Sequence, residues 1–179
     1  EAQAWNYVQF NYVGSGAVQE TWTPMYVGTY TYTLVFGTED EPYEDAGLVL
    51  SQSDTDPSRY KISHIFYDVD FVFVMNDDGT ISFEDQVAYE DAGVYITDMY
   101  ASYPNNFEPS YYKDGVFTFS IGYYQGNSWI NYGVEKFVLT GMYEEGANVK
   151  HNAKSSVIKT MKMEKNSYAR FAPFKMVNW

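Results

Sequence analysis

The chain contains no cysteine, which removes disulfides, thiol nucleophiles and cysteine-based metal sites at once. Histidine is nearly as scarce: His64 and His151 are the only two. They do not have the spacing of a metal-binding pair, and no serine stands in a turn that resembles a nucleophile elbow. A lone histidine between apolar neighbours, as His64 is, is expected to be a hydrogen-bonded packing residue. No apolar run reaches the length of a membrane-spanning helix. Positive charge is also sparse over most of the chain. Residues 1–149 carry four basic residues (Arg59, Lys61, Lys113, Lys136) against 23 acidic ones, a net of −19. Phosphates would be repelled by such a body, so nucleic acid is excluded as its partner. Residues 150–179 reverse the sign, with seven basic residues against Glu164. This basic segment is expected to lie along the acidic body.

What is abundant is tyrosine, 19 residues in 179, and alternation. From Trp22 to Phe36, Tyr30, Tyr32, Leu34 and Phe36 share one face, and Thr29, Thr31, Thr33 and Val35 the other. Aromatic and β-branched residues in this period predict a strand with one face on a core, which places Tyr30 and Tyr32 in that core. Further strands are predicted over 5–13, 47–51, from Tyr60 to Ile62, over Val69–Met75, 93–98, Val116–Tyr124 and Glu135–Thr140, where Phe117, Phe119, Ile121 and Tyr123 share a face. Asp78-Gly79 and Asp114-Gly115 each sit between two such runs and predict hairpin turns. Val157–Met163 fits a strand or a short helix equally, because neither period is clean.

Carboxylates gather in turns. Glu39 to Asp45 brings five of them around Pro42, and such a segment is more often a solvated tip than a calcium site or a hydrolase pair. Asp54 and Asp56 have calcium-loop spacing without the remaining ligands, and Asn76-Asp77-Asp78-Gly79 fails the calcium pattern because Val74 stands where the first ligand belongs. No metal, cofactor or catalytic residue is expected.

The fold expected is all-β, a single antiparallel β-sandwich or partly open barrel of about eight to ten strands. Val69–Met75, apolar on both faces apart from Asp70, favours the sandwich. Residues 1–141 form the β domain, and 142–179 a basic extension packing on it.

Residues 100–112 form the longest irregular stretch, and long loops usually carry function. With the segment to Tyr132 they concentrate Tyr103, Tyr111, Tyr112, Tyr123, Tyr124, Trp129 and Tyr132. Sugars stack their apolar faces on such rings, so Trp129, Tyr124, Tyr132 and Tyr103 are the expected ligand-binding residues and a glycan the expected ligand. Two other readings stand beside it. One is a structural or adhesive module that meets another surface protein through a sheet edge or an aromatic patch. The other is a hydrolase with two carboxyls about 5–10 Å apart across a cleft.

In order along the chain, Trp22, Gly28-Thr29-Tyr30-Thr31, Tyr60-Lys61-Ile62, Phe71-Val72-Phe73, Asp78-Gly79, Gln86, Gly93-Val94-Tyr95 and Ser110-Tyr111-Tyr112-Lys113-Asp114-Gly115-Val116-Phe117-Thr118-Phe119 resemble a β-rich module. It is a module of exported, lipid-anchored surface proteins of Bacteroides and its relatives, and the resemblance covers residues 22–140. The resemblance implies an extracytoplasmic location, at the outer-membrane surface or in the periplasm of a Gram-negative bacterium. It also implies attachment through a lipidated cysteine upstream of Glu1, and it brings no catalytic residues. An acidic, Cys-free chain that opens at Glu1 rather than Met points the same way, to a mature exported protein.

Overall fold

The computed structural model describes residues 20–35, 37–66 and 69–145. Ten strands and one short helix follow in order: β1 (Trp22–Tyr32), β2 (Tyr43–Ser53), β3 (Arg59–Ile65), β4 (Val69–Met75), β5 (Thr80–Ser82), β6 (Gln86–Tyr89), β7 (Val94–Asp98), α1 (Met99–Ser102), β8 (Ser110–Lys113), β9 (Val116–Gln125) and β10 (Ser128–Met142). All pairings are antiparallel, in the order β10-β1-β2-β3-β4-β5-β8-β9, and β10 also pairs with β9. Eight strands therefore close into an up-and-down barrel. The β6–β7 hairpin is inserted between β5 and β8. It is carried by β9, whose Val116–Thr118 segment pairs with β8 and whose Ile121–Gln125 segment pairs with β7.

The all-β antiparallel expectation holds, but the preference for a sandwich does not. Phe71 and Phe73 of β4 are buried inside the barrel, whereas Val72 and Val74 on its outer face remain half-exposed. No second sheet covers them among the described residues. The apolar outer face of β4 is instead bordered by β6. Gln86 carries out that contact with its side chain: Oε1 accepts from the Val72 amide at 2.8 Å and Nε2 donates to the Val72 carbonyl at 2.6 Å.

An eight-stranded barrel is just wide enough for its own inward side chains to fill, and here aromatic rings do so. Tyr30, Phe66, Phe71, Phe73, Phe119 and Tyr123 are each at most 1% exposed. Phe66 enters from the β3–β4 corner at a φ of 48° and meets Tyr30, Tyr32, Phe71 and Tyr123 at centroid distances of 5.8–5.9 Å. Edge-to-face and offset contacts of this kind each add about 0.5–1.5 kcal/mol beyond area burial. The corner is made by a bulge between Ile62 and Ile65, where His64 takes a φ of 61° and faces solvent. The expectation of a packed histidine is thus corrected, because the bulge turns the position outward.

Several other boundaries move. β2 begins at Tyr43, so Glu44 and Asp45 belong to a strand rather than to the acidic turn. The stretch 100–112 contains most of α1 and most of β8. Trp129 stands on a strand, since β10 begins at Ser128. The two Asp-Gly turns are as expected: Gly79 has φ 83°, and Asp114 and Gly115 have φ 51° and 84°, the paired positive values of a type I′ turn. The strand over 5–13, Phe36, Val157–Met163 and the basic segment beyond Glu145 lie outside the described residues.

Candidate functional site

The outer face of β7, β9 and β10 carries an unusual density of exposed rings. On β9 the inward residues are Phe117, Phe119, Ile121 and Tyr123, so Gly122 and Tyr124 point outward. Trp129 pairs with Tyr124 across the Gly126 turn, and a bulge between Trp129 and Asn131 resets the register, so that Tyr132 pairs with Gly122. The indole then lies over Gly122. A Cβ there would sit 2.7 Å from Trp129 Cζ3 and 2.4 Å from Met99 Sδ, so only the absence of a side chain lets the ring settle on the strand. Met99 beneath is 2% exposed, whereas Trp129 is 41% exposed. The ring is supported from below and open above.

Its neighbours are placed by local chemistry. Asp98 ends β7 and caps α1, its Oδ1 accepting from the Tyr100 and Ala101 amides at 3.0 and 3.1 Å. Burial raises the Asp98 pKa, and these backbone bonds partly offset the rise. The turn closes through the Tyr103 amide to the Met99 carbonyl at 2.8 Å. The following loop is pinned to β9: Ser120 Oγ donates to the Glu108 carbonyl at 2.6 Å, and the Ser120 amide donates to Ser110 Oγ at 2.9 Å. Tyr103 is thereby held against Trp129, with centroids 6.1 Å apart, and Phe107 against Tyr132 at 5.7 Å.

All four residues expected at the site come together. Tyr124 and Tyr132 lie 5.9 and 6.5 Å from Trp129, at interplanar angles of 69° and 83°, and Tyr103 is inclined at 63°. Tyr95 and Phe107 join them, Tyr95 stacking on Tyr124 at 5.6 Å. Neither was expected as a ligand-binding residue; the signal for Tyr95 was its outward position opposite Val94 and Ile96. Of the other aromatics in this part of the sequence, Tyr123 is in the core and Tyr112 packs on Phe117 at 4.5 Å. A depression of about 300 Å³ opens beside Tyr124 and Trp129, with Asp85, Thr97, Ser102, Asn127 and Ser128 on its walls. Tyr124 donates its hydroxyl to Asp85 Oδ2 at 3.0 Å. Partial desolvation and the Asp85 carboxylate both raise the Tyr124 pKa.

No protein-family model, curated protein or solved structure matches this chain. The site must therefore be read from its own chemistry.

A second cluster, which the sequence did not reveal, lies inside the barrel. Glu135 is fully buried on β10. Its Oε2 accepts from Tyr30 at 3.0 Å and Tyr123 at 2.5 Å, and its Oε1 from the Thr33 and Leu34 amides at 3.1 and 3.3 Å. Burial raises its pKa to about 7, against the pull of these four donors. Burial first, and then the Glu135 charge, push the Tyr30 and Tyr123 pKa values well up. Acidic residues are thus not confined to turns, as the composition implied. This carboxyl is sealed from solvent with both oxygens occupied, so it offers nothing to a substrate. Asp54 and Asp56 serve turns, accepting from Thr23 and Ser58. Among the described residues no group of three His, Asp or Glu side chains is placed to hold a metal.

Proposed function

We propose that the protein is a non-catalytic binding module that takes a glycan on the Trp129 face, within an exported, surface-attached chain. The observation that carries the reading is the pinned but open indole of Trp129, walled by Tyr103, Tyr124 and Tyr132. Exposing large rings is unfavourable unless something covers them. Rings held rigid before binding also lose little entropy when a ligand arrives. Stacking supplies the apolar contact, and Asp85, Asn127 and the hydroxyls beside them supply the few polar groups that orient a ligand. Export and surface attachment rest on the resemblance to the Bacteroides module, and the partner would then be met outside the cytoplasm.

A glycan array probed with the wild type and Trp129→Ala tests this. Binding by the wild type that the variant loses supports the reading, and failure of the wild type to bind any glycan removes it. The protein-interaction reading draws on one separate observation. The outer face of β10 exposes Val134, Val138 and Met142, the last 74% exposed. Wild-type self-association that Val134→Ser abolishes in light scattering would favour that reading.

A further inference from the structure

Ring geometry and charge at the Trp129 face narrow the class of sugar it accepts. We infer that the face takes an uncharged, soluble sugar chain by a terminal or single unit, and accepts neither a flat crystalline polysaccharide nor an acidic glycan. The inference rests on the glycan reading and adds the ligand class to it.

The shape comes first. A flat polysaccharide surface is met by rings lying side by side in one plane. Around Trp129 the neighbours are inclined at 63°, 69° and 83°, so they stand as walls about the indole rather than extending it. The one nearly parallel pair, Tyr95 and Tyr124 at 23° and 5.6 Å, is stacked face to face and presents no wider floor. The result is a notch. Its adjoining depression of about 300 Å³ stands at the small end of ligand sites, which suits a short sugar segment.

The charge comes second. Among the described residues, Asp85 is the only carboxylate on the depression, and no lysine or arginine lines it. Among the described residues, Arg59 is paired with Glu20 and Lys61 with Asp70. The first 149 residues carry a net −19. Carboxylate and sulfate sugars are bound by Arg forks or Lys ammonium groups, and among the described residues none lines the depression. Asp85 would repel them, while its carboxylate and the Asn127 amide can bond neutral hydroxyls.

Calorimetry on the whole chain provides the test. The probes are neutral hexasaccharides of glucose, mannose, xylose and N-acetylglucosamine, with oligogalacturonate and heparin oligosaccharide as acidic probes. Insoluble cellulose and chitin are assayed by pull-down. At least one soluble neutral probe should bind, with affinity changed less than about twofold between about 50 and about 500 mM salt, because no ion pair is screened. Trp129→Ala should weaken it about tenfold or more. Tyr103→Ala, at a ring 43% exposed, should weaken it less, and circular dichroism of both variants excludes misfolding. Trp129-dependent binding to acidic or crystalline probes, with no neutral soluble probe bound, overturns the inference and leaves the glycan reading standing. Absence of binding to every probe overturns both.

Discussion

At the scale of single residues, Glu135 is the costliest placement in the barrel. Its carboxyl is raised from the ordinary 4.5 to about 7, first by burial and against four hydrogen bonds. The folded chain therefore holds this proton through a pH range in which the unfolded chain has released it. Bound protons favour the folded state at low pH, so this group's contribution is fully present below about pH 4.5 and is lost as pH rises through about 7. The size is on the order of 3 kcal/mol. Urea unfolding measured at intervals from pH 4.5 to 8.5 should show the wild type losing stability relative to Glu135→Gln, since the amide keeps the shape without the charge. Asp54, Asp56 and Asp78, whose pKa values are lowered mainly by side-chain hydrogen bonds, lose their contributions at lower pH than this range and so add little slope within it. A difference that stays flat across the range would mean that Glu135 is ionised at no cost. Glu135→Ala is a harsher change, because it strands Tyr30, Tyr123 and two backbone amides. A loss of about 3–5 kcal/mol is expected below about pH 4.5, shrinking as pH rises through about 7 and the wild type itself loses the Glu135 contribution.

Individual elements show where sequence and structure part. β4 has the bounds that its apolar run implied, Val69 to Met75, and the two Asp-Gly turns fall between the strands they were expected to join. In both cases a local signal decides the structure: side-chain period 2 or a positive φ. Where the signal is not local, the sequence is silent. β10 is interrupted on paper by Gly133 and by a bulge after Trp129, which breaks the alternation, so its first half does not look like strand. α1 is a single turn held by the Asp98 cap, too short to display a helical period. Glu135 reads as an ordinary acidic residue because Tyr30 and Thr33 lie more than 100 positions away. Half of the candidate site was legible for the same reason. Tyr124 and Trp129 face each other across one turn, whereas Tyr95 and Asp85 arrive only through the pairing of β7 with β9. Gln86 is the most informative of these non-local contacts, since its side chain stands in for a strand between β6 and β4. Gln86→Ala should cost about 1–3 kcal/mol and speed hydrogen exchange at the Val72 amide. Gln86→Glu should cost more, because a carboxylate oxygen would face the Val72 carbonyl where Nε2 now donates. Equal stability of Gln86→Glu and wild type in urea would show that the bridge contributes nothing.

On the scale of the whole molecule, two pairings of the barrel are made by no hairpin, β5–β8 and β1–β10, and the second joins the strands farthest apart in sequence. Every other neighbouring pair in the ring is joined by a single connection, but β1 and β10, which form the closing seam, are the first and last described strands. At that seam Gly28 lies against Phe137 and Val138 so closely that a Cβ would fall 2.5 Å from the Phe137 ring and 2.6 Å from the Val138 carbonyl. Bulges in both pairings of β1, at Val27/Gly28 towards β10 and Gly28/Thr29 towards β2, leave the strand little freedom to retreat. Gly28→Ala should therefore destabilise the barrel by about 2–3 kcal/mol through overpacking. The kinetic partition of that loss tells when the barrel closes. Joining residues this far apart requires loop-closure entropy to be met before the contacts are gained, so strands paired by hairpins should assemble first and the seam last. A contact made after the transition state leaves the folding rate almost unchanged and puts its full loss into unfolding. For 2–3 kcal/mol that is an increase in unfolding rate of about 30–150-fold, at a factor of ten per 1.4 kcal/mol. Stopped-flow chevrons of wild type and Gly28→Ala measure both limbs directly. If the variant instead folds slowly and unfolds at the wild-type rate, the β1–β10 seam belongs to the nucleus, and closure of the ring precedes the filling of its interior.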